Sequence, residues 1–419
     1  MLYKEFIIRQ LIAVAVAFAS LPLLLQKFKL KSGAAILVTG ILINLFALVE
    51  PSRVLHAAVA VFTTYTSVHT LICIILIGVL GNMLKHYGFL SQIAILLRRL
   101  VHNKKLLIGS VPCIFGMLSV PGGAFLSAPF VDELGNDLGI ESPKRAAINL
   151  TFRHATVFLY PFASSVIYLT ALIANFFSIY SIIKLGVVFS AVIVIAAYVL
   201  YFPRGMKVFA DNEKSEGTSF KDLKMLAFYT MPIYFVVIVN FIPGVFPAMA
   251  LMLSILLTYF LCDRKNLTQA LLKGISVNLI VMVAGVFFIQ NTIINLDQLV
   301  NIFFSILYSS SDIMVLFAIA AGCFMVGLVS GIAIVPAGIF IPIIFTLPMG
   351  HTEMLLYVFF AWLWSFMGYY FSPLHLCQIL TIQCTKVKTA EIYKEHIKLF
   401  PWLAIASFVL FFGYRFLLL

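Results

Sequence analysis

The chain has 419 residues, of which 63% are hydrophobic and 11% charged, and its 28 Lys and Arg against 16 Asp and Glu give a net charge of +12. A soluble domain carries roughly 25% charged residues, so this balance, with a mean hydropathy of +1.09, excludes a soluble enzyme or binding module. The basic residues sit in short loops between apolar runs rather than on one face, which argues against a nucleic-acid partner.

Apolar runs of about 20 residues can each cross a hydrocarbon core of about 30 Å. In chain order they predict about ten transmembrane helices, at 8–26, 33–50, 67–84, 146–172, 181–201, 225–243, 245–262, 276–296, 356–385 and 399–417. Lys4 and Arg9 ahead of the first run resemble a signal peptide, but another span follows rather than a secreted domain, so a retained first helix is expected. Two further apolar stretches, 106–134 and 313–346, are broken by Ser119-Val-Pro-Gly-Gly123 and by Ser330-Gly-Ile-Ala-Ile-Val-Pro-Ala-Gly338. Each half is expected to be too short to span, so each stretch is predicted to fold back as a re-entrant hairpin.

Loop charge tests that layout. If both hairpins return to their own side, the segments 27–31, 85–105, 140–147, 202–224, 263–274 and 386–398 share one compartment and hold 22 of the 28 Lys and Arg. The opposite loops, 51–66, 173–180, 297–312 and 347–355, hold only Arg53. The positive-inside rule makes the first set cytoplasmic and puts both termini outside, with Lys4 and Arg9 dissenting. The chain then divides into two inverted repeats, 1–201 and 225–419, joined by a cytoplasmic linker at 202–224. Residues about 211 apart correspond: Gly116-Met-Leu-Ser119 to Gly327-Leu-Val-Ser330, and Tyr160-Pro161 to Ser372-Pro373. That is the sequence signature of a secondary transporter.

Irregular backbone survives at membrane depth only when it is buried in protein or lines a wet cavity. The breaks therefore mark a candidate substrate site. Its residues are Ser119, Pro121, Gly122 and Gly123; Arg153, His154, Tyr160, Pro161, Ser164 and Ser165; Ser330, Gly331 and Pro336; and Ser372, Pro373 and His375. Freed N–H groups at a half-helix start favour an anion and freed carbonyls a cation. A cation would use Ser119, Asn82, Asn291, Ser330 and Gly338. Arg153 either binds an anionic group or snorkels to the headgroups. His154 either shuttles a proton or packs. Asn82 and Gln290-Asn291 either reach the hairpin tips or bond neighbouring helices. The six cysteines lie mostly in or beside apolar runs without CxxC spacing, and no ligand set accompanies His375 and Cys377 along the chain, so no metal and no cofactor are expected. No carboxylate falls at mid-span, which favours sodium over a proton as coupling ion.

Two broken hairpins, two interrupted long helices and inverted repeats together resemble the ion transporter superfamily, with its divalent anion–sodium symporters and gluconate and citrate carriers. Ser-Val-Pro-Gly-Gly-Ala at 119–124, Phe-Arg-His followed by Tyr-Pro at 152–161, and Ser-Pro-Leu-His-Leu-Cys at 372–377 are most similar to an uncharacterised prokaryotic integral-membrane family within it. The resemblance implies an elevator-type carrier, usually dimeric, in the prokaryotic cytoplasmic membrane, with substrate and sodium between tips and unwound helices. Both tips lack the Ser-Asn-Thr of the dicarboxylate symporters, which speaks against a dicarboxylate. The expected activity is secondary active transport of a small organic anion, with membrane lipids as surroundings. Export of a hydrophobic or lipid-linked anion and a channel are the alternatives. An intramembrane enzyme would need clustered catalytic groups that the sequence does not display.

Overall fold

The computed structural model describes residues 2–117, 124–202, 220–294, 296 and 312–419, and among them every regular element is helical. The predicted linker residues 203–219, the segment 297–311 and the predicted first hairpin tip, with Ser119, Pro121, Gly122 and Gly123, lie outside the described residues.

The first half contains α1 (Leu2–Gln26), α2 (Ser32–Ala47), α3 (Pro51–Thr63), α4 (Tyr65–His86), α5 (Phe89–Leu100), α6 (Lys104–Met117), α7 (Ala124–Asp137), α8 (Ser142–Ala155), α9 (Ser164–Ile173) and α10 (Ile179–Tyr201). The second contains α11 (Phe220–Asn240), α12 (Pro247–Leu261), α13 (Leu267–Leu272), α14 (Val277–Ile294), α15 (Asp312–Ser330), α16 (Ile334–Ile344), α17 (His351–Tyr370), α18 (Leu376–Thr385) and α19 (Thr389–Leu418). Among the described residues six stretches can cross a membrane by length and composition: α4, α10, α11, Leu267–Ile293, Ile313–Ser330 and α19. The other predicted spans are shorter apolar helices or halves of interrupted ones. This is the build of a membrane-embedded protein.

Three predicted loop segments contain helices instead. Pro51 opens α3 in its first turn, where a missing N–H costs nothing. In α5, Phe89, Leu90, Ile93, Leu96 and Leu97 make one buried face, and Arg98 and Arg99 sit at the carboxyl end, where the helix dipole favours cations. The third, α13, is a short helix against α4. Charge made 85–105 and 263–274 read as loops, whereas their apolar residues pack.

Packing partners recur between the halves at the spacing read from the sequence. Helix α2 packs on α14 as α12 packs on α4; α3 on α14 as α13 on α4; α6 on α8 as α15 on α17; and α7 on α18 as α16 on α9. The contact between α6 and α8 depends on Gly116, where a Cβ would stand 2.1 Å from the Arg153 carbonyl oxygen and 2.7 Å from Thr156 Oγ1. Its counterpart Gly327 lies against the backbone of Gly368 and Tyr369. Asn82 donates to the Ala270 carbonyl of α13 at 2.7 Å, and Asn291 to the Ala57 carbonyl of α3 at 3.1 Å. Both amides are thus engaged in helix packing.

The second broken stretch departs from expectation. Its first arm, α15, is 19 residues long, so that arm is not too short to span. The break is confined to residues 331–333, and Pro336 and Gly338 lie within α16. Proline is tolerated there because the first-turn N–H groups of a helix have no intrahelical partner. Gly338 instead admits the Tyr168 hydroxyl of α9, which a Cβ would meet at 2.4 Å.

Candidate functional site

Both long predicted helices are interrupted where Pro was expected to act. After α8 a single 3-10 turn, Thr156–Phe158, leads into irregular backbone that resumes as α9 at Ser164. After α17 the chain is irregular from Phe371 to His375. Tyr160 precedes Pro161 and Ser372 precedes Pro373, and the residue before proline is pushed out of the α region by the ring. The proline supplies no N–H to rejoin the ladder.

The carbonyls freed by the two breaks are largely occupied. Cys113 Sγ donates to the Phe152 carbonyl (3.1 Å), Thr156 Oγ1 to that of Arg153 (2.9 Å) and Ser190 Oγ to that of Ala155 (2.9 Å). At the second break Tyr393 Oη donates to the Phe371 carbonyl (2.8 Å). Ser372 Oγ donates to Leu328 of α15 (2.6 Å) and accepts from the Leu374 N–H (3.1 Å). Gly331 takes φ +67°, which glycine adopts without strain, and its Cα faces Leu374. The α15–α16 break therefore rests directly on the α17–α18 break. Ser330 is buried and turns onto its own break, its Oγ accepting from the Ile332 N–H (3.3 Å).

Between the breaks α8 is buried on all sides from Ala146 to Ala155, and its polar side chains are answered by α17 and α18. Asn149 Nδ2 donates to Thr381 Oγ1 (2.9 Å), the Thr151 and Tyr370 hydroxyls share a bond (2.7 Å), and Ser142 Oγ reaches the Thr385 carbonyl (3.4 Å). In α18 the polar residues Gln378, Thr381 and Thr385 are buried while Leu376 and Ile379 are exposed. Polar side chains inside and apolar ones outside is the arrangement that lipid imposes.

Arg153 and His154 end α8. Arg153 is only 7% exposed, so its guanidinium is enclosed by protein rather than extended to a headgroup surface. Its Nη1 has no hydrogen-bond partner among the described residues, and neither do Asn149 Oδ1 and Gln378 Oε1. His154 Nε2 lies 3.1 Å from Tyr369 Oη and 3.1 Å from His375 Nε2. Cys377 completes a group of three ligand atoms within 4.8 Å of one another. Sequence spacing could not display this group, because His154 and His375 are 221 residues apart.

The remaining predicted residues are spread more widely. Tyr160 Oη donates to the Ile233 carbonyl of α11 (3.1 Å), and Pro161 is buried in the first break. Ser164 and Ser165 are half-buried at the start of α9, whereas Pro373 is exposed. Tyr168 Oη, which sequence reasoning passed over, bonds Gln290 Oε1 at 3.0 Å and ties α9 to α14. Two apolar grooves, of about 370 Å³ beside Met83 and Tyr259 and about 500 Å³ beside Ile195 and Trp402, lie apart from the His154 cluster and share no residue with it.

The family model described as a protein of unknown function, DUF401, matches residues 10–414. The chain belongs to the DUF401 family. No curated protein matches it. The DUF401 match covers both halves, both interrupted helices and the buried polar residues of α8.

Proposed function

We propose that this DUF401 protein is a secondary active transporter of a small organic anion in a prokaryotic cytoplasmic membrane. In this reading it works by an elevator-type mechanism with a coupling cation and is built from two inverted repeats. The observation that carries the reading is Arg153: buried, with Nη1 free of hydrogen-bond partners among the described residues, beside an interrupted helix. A buried, incompletely satisfied guanidinium costs several kcal/mol. The carboxyl end of α8 offsets it by about half an elementary charge. An anionic solute supplies the rest. Asn149 Oδ1 and Gln378 Oε1 add acceptors without described partners, suited to a solute hydroxyl or to water.

The recurring packing pairs support the repeat, and the loop charges support a cytoplasmic face that holds α5 and the start of α6. The coupling ion is proposed as sodium or a proton, and occupancy of most freed carbonyls by protein donors weakens the case for sodium. Reconstituted vesicles test the reading. A carrier loaded with unlabelled anion drives saturable counterflow of labelled anion, strongest for small carboxylates. Unsaturable conductance without counterflow, or inert vesicles across a broad anion panel, would overturn it.

A further inference from the structure

The rings of His154 and His375 present a chemical problem that their surroundings define. His154 Nδ1 lies 2.7 Å from the Leu150 carbonyl oxygen, and His375 Nδ1 lies 3.3 Å from that of Tyr370. A carbonyl can only accept, so both contacts are made when each Nδ1 carries the proton. In the neutral tautomers both Nε2 atoms are then lone pairs, and they face each other at 3.1 Å. Two lone pairs at that distance repel unless a proton or metal ion lies between them or a neighbouring O–H or S–H donates to one of them. An imidazole whose Nδ1–H is held by a backbone carbonyl and whose Nε2 is free is also the form in which histidine ligates metals.

We infer that His154, His375 and Cys377 form a binding site for a soft d10 metal ion, preferentially Cu(I). The separations suit it. Two nitrogens bound at about 2.0–2.1 Å stand roughly 3.3–3.5 Å apart in a tetrahedral site, close to the 3.1 Å found here, and the thiol completes the set within 4.8 Å. Imidazole and thiolate together select soft or borderline ions. Charge decides between these. Cu(I) with one thiolate is neutral, whereas Zn(II) with one thiolate keeps a positive charge beside the buried Arg153, at a desolvation cost. Binding is an exchange: the Cys377 S–H bond breaks, a Cu–S bond forms, one proton leaves to solvent, and nothing is oxidised or reduced. Tyr369 Oη, 3.1 Å from His154 Nε2, can donate to only one of the two imidazoles in the metal-free form. The ligands join α8 of the first half to the α17–α18 break of the second, so the ion clamps the two halves together. This inference does not depend on transport, and its test reads binding alone.

The full chain is purified in detergent, stripped with a chelator and titrated anaerobically with Cu(I) against a chromophoric Cu(I) chelator, with Zn(II) in a parallel arm. One Cu(I) per chain is expected, with release of about one proton and weaker retention of Zn(II). Cys377→Ser should weaken Cu(I) by at least about 100-fold, more than the roughly 10–100-fold typical of losing an outer-shell partner. His375→Gln is a second variant in case the first fails to fold, and Cys262→Ser should change nothing. Absence of stoichiometric Cu(I), as for a pair that holds only a proton, would overturn the inference. So would Zn(II) binding more tightly than Cu(I), or both site variants binding as wild type.

Discussion

Replacing Arg153 separates a solute-binding arginine from a structural one, because the two roles move affinity and stability in different directions. In a purely structural role the guanidinium would satisfy a partner inside the fold, and breaking such a buried pair costs about 3–5 kcal/mol. Nη1 has no such partner among the described residues. Arg153→Gln removes an incompletely satisfied charge from a side chain that is 7% exposed. Thermal stability without ligand should therefore hold or rise. Anion affinity should fall. Losing one charge-assisted hydrogen bond costs about 1.5–3 kcal/mol, or roughly 10- to 150-fold in apparent affinity. Arg153→Lys should fall in the same range, because an ammonium cannot reproduce the planar fork. The assay is thermal shift of purified protein against a panel of carboxylates, repeated as counterflow in vesicles. A ligand at 100 times its dissociation constant stabilises by about 2.7 kcal/mol, so the wild-type signal is ample. Affinity within twofold of wild type in both variants would refute the anion role. A loss of several kcal/mol of ligand-free stability would reassign Arg153 to the scaffold.

Two other perturbations test the frame. Gly116→Ala places a Cβ 2.1 Å from a backbone oxygen that cannot rotate aside, so α6 must shift from α8. The overpacking costs about 1–3 kcal/mol against a gain of about 1 from helix propensity, while Gly350→Ala meets nothing within 4 Å and should be neutral. Unfolding midpoints that rank the two variants equally would contradict the close approach. In a cysteine-free background, Lys265→Cys should label from the cytoplasmic side and Gly350→Cys from the other, and labelling of both from one side would end the inverted-repeat proposal.

The sequence made the helical class and both interruptions legible, because each rests on a local rule. Tyr160-Pro161 and Ser372-Pro373 break their helices through ring sterics that need no tertiary context, and Gly331 takes the positive φ that suits it. What failed depended on position within an element. Pro336 looked like part of a break, yet in the first turn of α16 its missing N–H has no consequence. The segments at 51–66, 85–105 and 263–274 looked like loops, although the buried residues of α3 and α5 follow helical spacing. Arg153 left two readings open, since burial depends on what surrounds a helix end and not on its own residues. His154 and His375 could not be paired at all, being 221 residues apart with no local motif to join them.

The buried polar residues of α8 explain why these features coincide. A helix running beside lipid alone has no use for Asn149, Thr151, Arg153 and His154 within one and a half turns, since each costs free energy when left unpaired. Two of the four are met by hydroxyls across the half-to-half boundary, from Thr381 and Tyr370. Those bonds fix the register between α8 and the α17–α18 break. Arg153 and His154 follow immediately, at the point where the helix stops: Nη1 of the one has no partner among the described residues, and Nε2 of the other meets Tyr369 Oη and a second imidazole. A scaffold that needed only to hold its halves together would have stopped at the hydroxyls. In the readings proposed above, these two groups are what a ligand completes: an anion at Arg153, a soft cation at His154.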